Sequence, residues 1–90
     1  MTCHVLVWDL DANKEIVTLA GLEKGVLKTP MATRIIEDAL SHLLGPLILT
    51  DDLRIMRQGV YDTTVALCEL TPNDTNQRAR YIKELQERKA

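Results

Sequence analysis

Asp9 and Asp11 stand one residue apart at the end of an apolar run. Two carboxylates at that spacing can divide work between a nucleophile or base and a general acid. Asp51 and Asp52 form a second acidic pair, with oxygen ligands suited to a hard cation. No glycine-spaced calcium loop surrounds them. The thiols and imidazoles are Cys3, Cys68, His4 and His42. A Cys–His nucleophile needs its base oriented by a third group, and a zinc site needs paired short spacings. Neither pattern is present in the sequence. His42 follows Asp38 by four residues, the spacing of an ion pair on a helix surface. No Gly-rich phosphate loop occurs, and the sequence carries no specific catalytic, cofactor or metal motif.

The run VLVWDLDANK at residues 5–14 is an apolar strand ending in Asp-x-Asp. It resembles the first motif of the haloacid dehalogenase-like phosphatases. The run LILT at residues 47–50 resembles that family's second motif, an apolar strand ending in Thr or Ser. The resemblance implies Asp9 as the nucleophile at phosphorus, Asp11 as the general acid, and a metal ion alongside. That family continues with Gly-Thr, where Ala12-Asn13 stand here, and its doubly wound sheet needs more than ninety residues. Read from the residues alone, Asp11-Ala12-Asn13-Lys14 is turn chemistry, because Asp and Asn tolerate tight backbone conformations.

The elements that must hold these groups are those of a small α+β domain spanning residues 1–90. CHVLVWDL (3–10) and EIVTLA (15–20) are rich in β-branched and aliphatic residues and predict a hairpin over 3–20. A competing reading makes residues 11–24 a helix capped by Asp11. Thr29-Pro30 is helix-start grammar, and Gly45-Pro46 is a stop, so a helix is expected over 30–44. Met31, Ile35, Ile36, Ala39, Leu40, Leu43 and Leu44 recur at three- and four-residue steps and are assigned to its sheet-facing side. A short strand is expected near 47–50, and the longest strand over 60–70. Residues 53–58 read equally as strand or helical turn, with Gln58-Gly59 able to turn a hairpin. Phe is absent, and Trp8, Tyr61 and Tyr81 are the aromatics, so the core must be aliphatic.

The last nineteen residues differ from the rest. Residues 72–90 hold Arg78, Arg80, Lys83, Arg88 and Lys89 against Asp74, Glu84 and Glu87. That is a net of +2 in a chain of net −2, which leaves −4 for residues 1–71. Thr71-Pro72 repeats the cap grammar, so a charged helix is expected over 72–89, with part of its length able to project. Lys83/Glu87 and Glu84/Arg88 are candidate i,i+4 pairs along it. Tyr81, Ile82 and Leu85 form a narrow apolar stripe flanked by Arg78 and Lys89.

These observations point to a small, non-catalytic interaction or regulatory protein. Its expected contact residues are Arg78, Tyr81, Ile82, Leu85 and Lys89, meeting a protein partner or a second copy of the chain. The alternative is a nucleic-acid-binding regulator of winged-helix type, with helices at 15–24 and 30–44 and a wing at 53–70. The net charge and the mixed signs on the tail oppose a phosphate track. No cofactor or metal is expected. Met1 is followed by no basic stretch and long apolar run, and nothing approaches the roughly 20 apolar residues of a membrane span. A reducing cytoplasm is the expected compartment, with both cysteines as small buried hydrophobes.

Overall fold

A computed structural model of the chain describes residues 1–88. Strands β1 (Thr2–Asp9) and β2 (Lys14–Glu23) form the expected antiparallel hairpin, with β2 running three residues past 20. Consecutive β-branched Ile16, Val17 and Thr18 favour extension over helix. The helical alternative for 11–24 and the winged-helix arrangement that depends on it are therefore not formed. Asn13 closes the turn at φ 56, a left-handed conformation that asparagine tolerates.

Helix α1 (Ala32–Leu44) begins two residues later than predicted. Thr29 does not cap it. The Thr29 hydroxyl instead donates to the Val26 carbonyl at 2.8 Å and closes a short 3-10 turn, Val26–Lys28. Met31 takes the N-cap position and offers no side-chain hydrogen bond. The helix stops where expected, but Gly45 has φ 81 with ψ −176, a glycine conformation outside the left-handed helical well, and its N–H donates to the Ser41 carbonyl.

Strand β3 is Ile48–Leu49, β4 is Arg54–Arg57 and β5 is Val60–Leu70. Gln58 and Gly59 both have positive φ, 52° and 77°. That is the two-residue turn whose twist matches a hairpin, and it decides residues 53–58 in favour of strand. Helix α2 (Thr75–Arg88) starts at Thr75 rather than at Pro72. Its cap is Asp74, whose carboxylate accepts the Gln77 N–H at 2.9 Å. The Gln77 side chain reaches back to accept the Thr71 N–H at 2.7 Å.

The five strands lie in the order β2-β1-β5-β4-β3, each antiparallel to its neighbour. Alternation along β1 sends Cys3, Val5 and Val7 to one face and Leu6 and Trp8 to the other. The first face packs with Ile36 and Leu40 of α1, and with Leu49, Ile55 and Val65 from the neighbouring strands. The second packs with Ala66, Leu70 and Leu85, the last from α2. The two helices thus take opposite faces of one sheet. Each fully buried aliphatic side chain contributes about 1.5–3 kcal/mol of transfer free energy. The α1 side, with more of them, is the heavier half of the core.

Candidate interaction surface

The acidic pair at the first hairpin is hydrogen-bonded within the fold. Asp9 Oδ1 accepts the Ala12 N–H at 2.8 Å, which ties the turn. Asp11 Oδ2 accepts the Thr64 N–H at 2.8 Å, which ties that turn to β5. The Thr63 hydroxyl lies 2.7 Å from Asp9 Oδ1 and 2.9 Å from Asp11 Oδ2. Its single proton serves one carboxylate at a time. The sheet is antiparallel, and β3, which carries the second resembling run, is separated from β1 by β5 and β4. The phosphatase arrangement is not assembled.

The second acidic pair is also local. Thr50 donates its hydroxyl to Asp52 and accepts the Arg54 N–H at 3.0 Å, which shapes the loop into β4. Among the described residues no group of three or more His, Cys, Asp or Glu side chains is placed to hold a metal ion.

The thiols are set against nucleophilic use. Burial, then the charge of Glu69, pushes Cys3 above the ordinary thiol value of 9.0. Burial pushes Cys68 up as well, with Arg88 opposing it. A reactive cysteine needs the opposite shift. His4 and Cys3, adjacent on β1, face opposite sides of the sheet. His42 sits on the exposed side of α1, 4.0 Å from Asp38, the helix-surface pair its spacing predicts.

The expected contact residues of the tail lie as follows. Leu85 is 3% exposed and belongs to the core under α2. Tyr81 and Ile82 are half-buried and pack against the same cluster. Arg78 forms an ion pair with Glu15 of β2, on the face where Trp8 lies. Lys89 lies outside the described residues. The apolar stripe of the tail is thus turned towards the chain's own sheet, and α2 shows its mixed-charge side outward. Neither Lys83/Glu87 nor Glu84/Arg88 forms an ion pair within 4.0 Å among the described residues.

Exposed apolar residues collect elsewhere. Ala32, Ile36 and Leu40 occupy the buried face of α1. Met31, Ile35 and Leu43, all assigned to that face from their spacing, are instead 50%, 37% and 57% exposed. With half-buried Ala39 they form a line four residues apart along one flank. The opposite flank carries Glu37, whose carboxylate accepts the Leu49 N–H of β3 at 2.9 Å. A signal was present in the sequence. Seven apolar positions cover more than half the circumference of a helix, far wider than the stripe one sheet face can bury.

A smaller apolar group, Ile48, Val60 and Tyr61, is exposed around β3 and the β4–β5 turn. The Arg54 guanidinium lies 4.2 Å from the centre of the Tyr61 ring and covers part of it. A cleft of about 560 Å³ lies where β1, β5 and α2 meet and is lined by Cys3, Lys24, Lys28, Glu69 and Tyr81 among others. No described helix is long and apolar enough to cross a membrane. Comparison with protein-family models, with curated proteins and with solved structures finds no match for the chain.

Proposed function

We propose that this chain is a small, non-catalytic interaction protein that engages a protein partner through the exposed flank of α1. One observation carries the reading: Met31, Ile35 and Leu43 are aligned on one helix flank and left in water. Large apolar side chains in line on a helix are characteristic anchors for a groove or a second helix. A single exposed apolar residue needs no explanation, but a continuous line does. Arg78, Tyr81 and Ile82 of the tail lie on the other face of the sheet, away from this flank, and Leu85 serves the core. The catalytic alternatives gain no support from carboxylates tied into turns and thiols raised by burial.

The reading is tested by comparing the wild-type chain with Ile35→Glu/Leu43→Glu in affinity capture and photo-crosslinking from position 39. Both substituted residues are exposed, so the fold should persist, as checked by circular dichroism. The expected result is a crosslinked partner lost in the double variant and kept in Val60→Ser. If both variants retain the same partner equally, α1 is not the contact surface.

A further inference from the structure

Two lysines of the acidic body share one cavity. The segment that follows β2 brings Lys24, Gly25 and Lys28 to the cleft of about 560 Å³, and α2 brings Gln77 and Tyr81. That volume falls within the roughly 300–1,000 Å³ of small-molecule sites. Leu70, Pro72 and Tyr81 add apolar lining, and the Cys3 thiol lies in the wall.

The polar groups of the cleft are mostly donors left without an acceptor. Glu69 is the one carboxylate among its lining residues, and it already accepts the Gly25 N–H at 2.8 Å. The Gln77 side-chain oxygen is likewise taken, by the Thr71 N–H at 2.7 Å, which leaves the amide NH2 to donate. Neither that NH2 nor the Tyr81 hydroxyl has a hydrogen-bond partner among the described residues. Lys24 and Lys28 form no ion pair within 4.0 Å among the described residues, whereas Arg57 and Arg78 each hold a carboxylate. The Lys24 charge acts on the Cys3 thiol and opposes the rise caused by burial, so its ammonium stands close to the cleft wall.

We propose that this cleft binds a small phosphate monoester with an apolar or planar organic part. Two ammonium groups, an amide NH2 and a hydroxyl match the charge and the three acceptor oxygens of a phosphate. A carboxylate brings two oxygens and one charge, too few for the donors present. The organic part is set by the remaining lining, Leu70, Pro72 and Tyr81. No residue of α1 lines the cleft, so the proposal stands independently of any partner at that helix. The donors come from both the segment after β2 and α2, so an occupant fastens the tail helix to the sheet.

The test is a titration of the isotope-labelled chain with phenyl phosphate, followed through amide shifts. Saturable shifts at Gly25, Thr71 and the Gln77 NH2 are expected, with a Kd of about 1 mM or tighter. The melting temperature should rise with the ligand. Inorganic phosphate and phenol, the two halves of the probe, should each bind at least about 10-fold more weakly. Lys24 and Lys28 are exposed, so their substitution should leave the fold intact. Lys24→Gln and Lys28→Gln should each weaken binding roughly 3- to 10-fold, while Arg34→Gln on α1 leaves it unchanged.

The absence of saturable shifts up to about 10 mM overturns the proposal, as does binding indifferent to both lysine substitutions. A phosphotyrosine peptide that binds more tightly than phenyl phosphate overturns the assignment to a free small molecule. None of these results touches the reading of α1 as a surface for another protein, whose own test is the loss of crosslinking in Ile35→Glu/Leu43→Glu.

Discussion

Asp11 shows how a residue with catalytic credentials can be consumed by architecture. Its carboxylate bonds the Thr64 N–H and approaches the Thr63 hydroxyl, joining the first hairpin to β5 across more than fifty residues. Removing it leaves a backbone donor without its charged partner. Asp11→Ala is expected to lower stability by about 1–2 kcal/mol, read as a lower urea midpoint at unchanged slope. The sequence offered Asp-x-Asp as turn or as chemistry, and only the identity of the third strand across the turn separates the two. That strand lies far away in the chain, so local spacing could not reveal it. The cysteines carry a pH signature. Both thiols are raised above 9.0, so the folded chain holds their protons where the unfolded chain has begun to release them. Stability from this source is complete below the ordinary thiol value and declines as pH rises through the folded values. The urea midpoint should fall on the alkaline side of 9.0, and Cys68→Ala should remove part of that fall.

Among the elements, α2 joins the sequence's most unusual composition to a structural task. Leu85, with Tyr81 and Ile82 beside it, covers Leu6, Trp8 and Leu70 on the face α1 does not reach. Leu85→Ala should cost about 2–5 kcal/mol, the range for a buried leucine whose site collapses only partly. A chain ending at Thr71 should lose cooperative unfolding or aggregate, because Leu6 and Trp8 would face water. Retention of a cooperative transition would show that α2 is dispensable to the fold. The hairpin of β1 and β2, the full span of β5 and the stop of α1 were legible because each has local grammar: alternation, β-branching or a glycine stop. The starts of both helices were not. Thr29-Pro30 and Thr71-Pro72 look alike in sequence, yet Thr29 closes a 3-10 turn, and Asp74 rather than Thr71 caps α2. Several residues in each stretch can satisfy the same free N–H groups, and tertiary packing chooses among them. The exposed flank of α1 was legible only as an excess of apolar positions, not residue by residue, for a related reason. Periodicity says which residues share a side of a helix, but not how much of that side a curved sheet can cover.

For the molecule as a whole, charge and shape set the scale of what it can do. The chain has a net charge of −2, and five of its eleven Lys and Arg residues lie in the mixed-sign tail. Its surface offers an apolar helix flank and a cleft lined by Lys24 and Lys28. The long strand β5 joins the two halves of the sheet. Its residues 65–70 pair with β1 and its residues 60–64 with β4, so the two halves of the strand face different neighbours. Every strand-to-strand path from the first hairpin to the second runs through it. The β1–β2 and β4–β5 hairpins close short loops, whereas joining β1 to β5 closes a loop of some sixty residues, as His4 pairing with Leu70 shows. Long-loop closure is the step that slows folding. Conservative truncations at the β1–β5 seam, such as Val65→Ala, should therefore slow refolding in stopped-flow experiments. Ile55→Val in β4 should act mainly on the unfolding rate. The strand that splints the sheet is then also the clock of its assembly: the molecule becomes one body when its two hairpins, made separately, are fastened along β5.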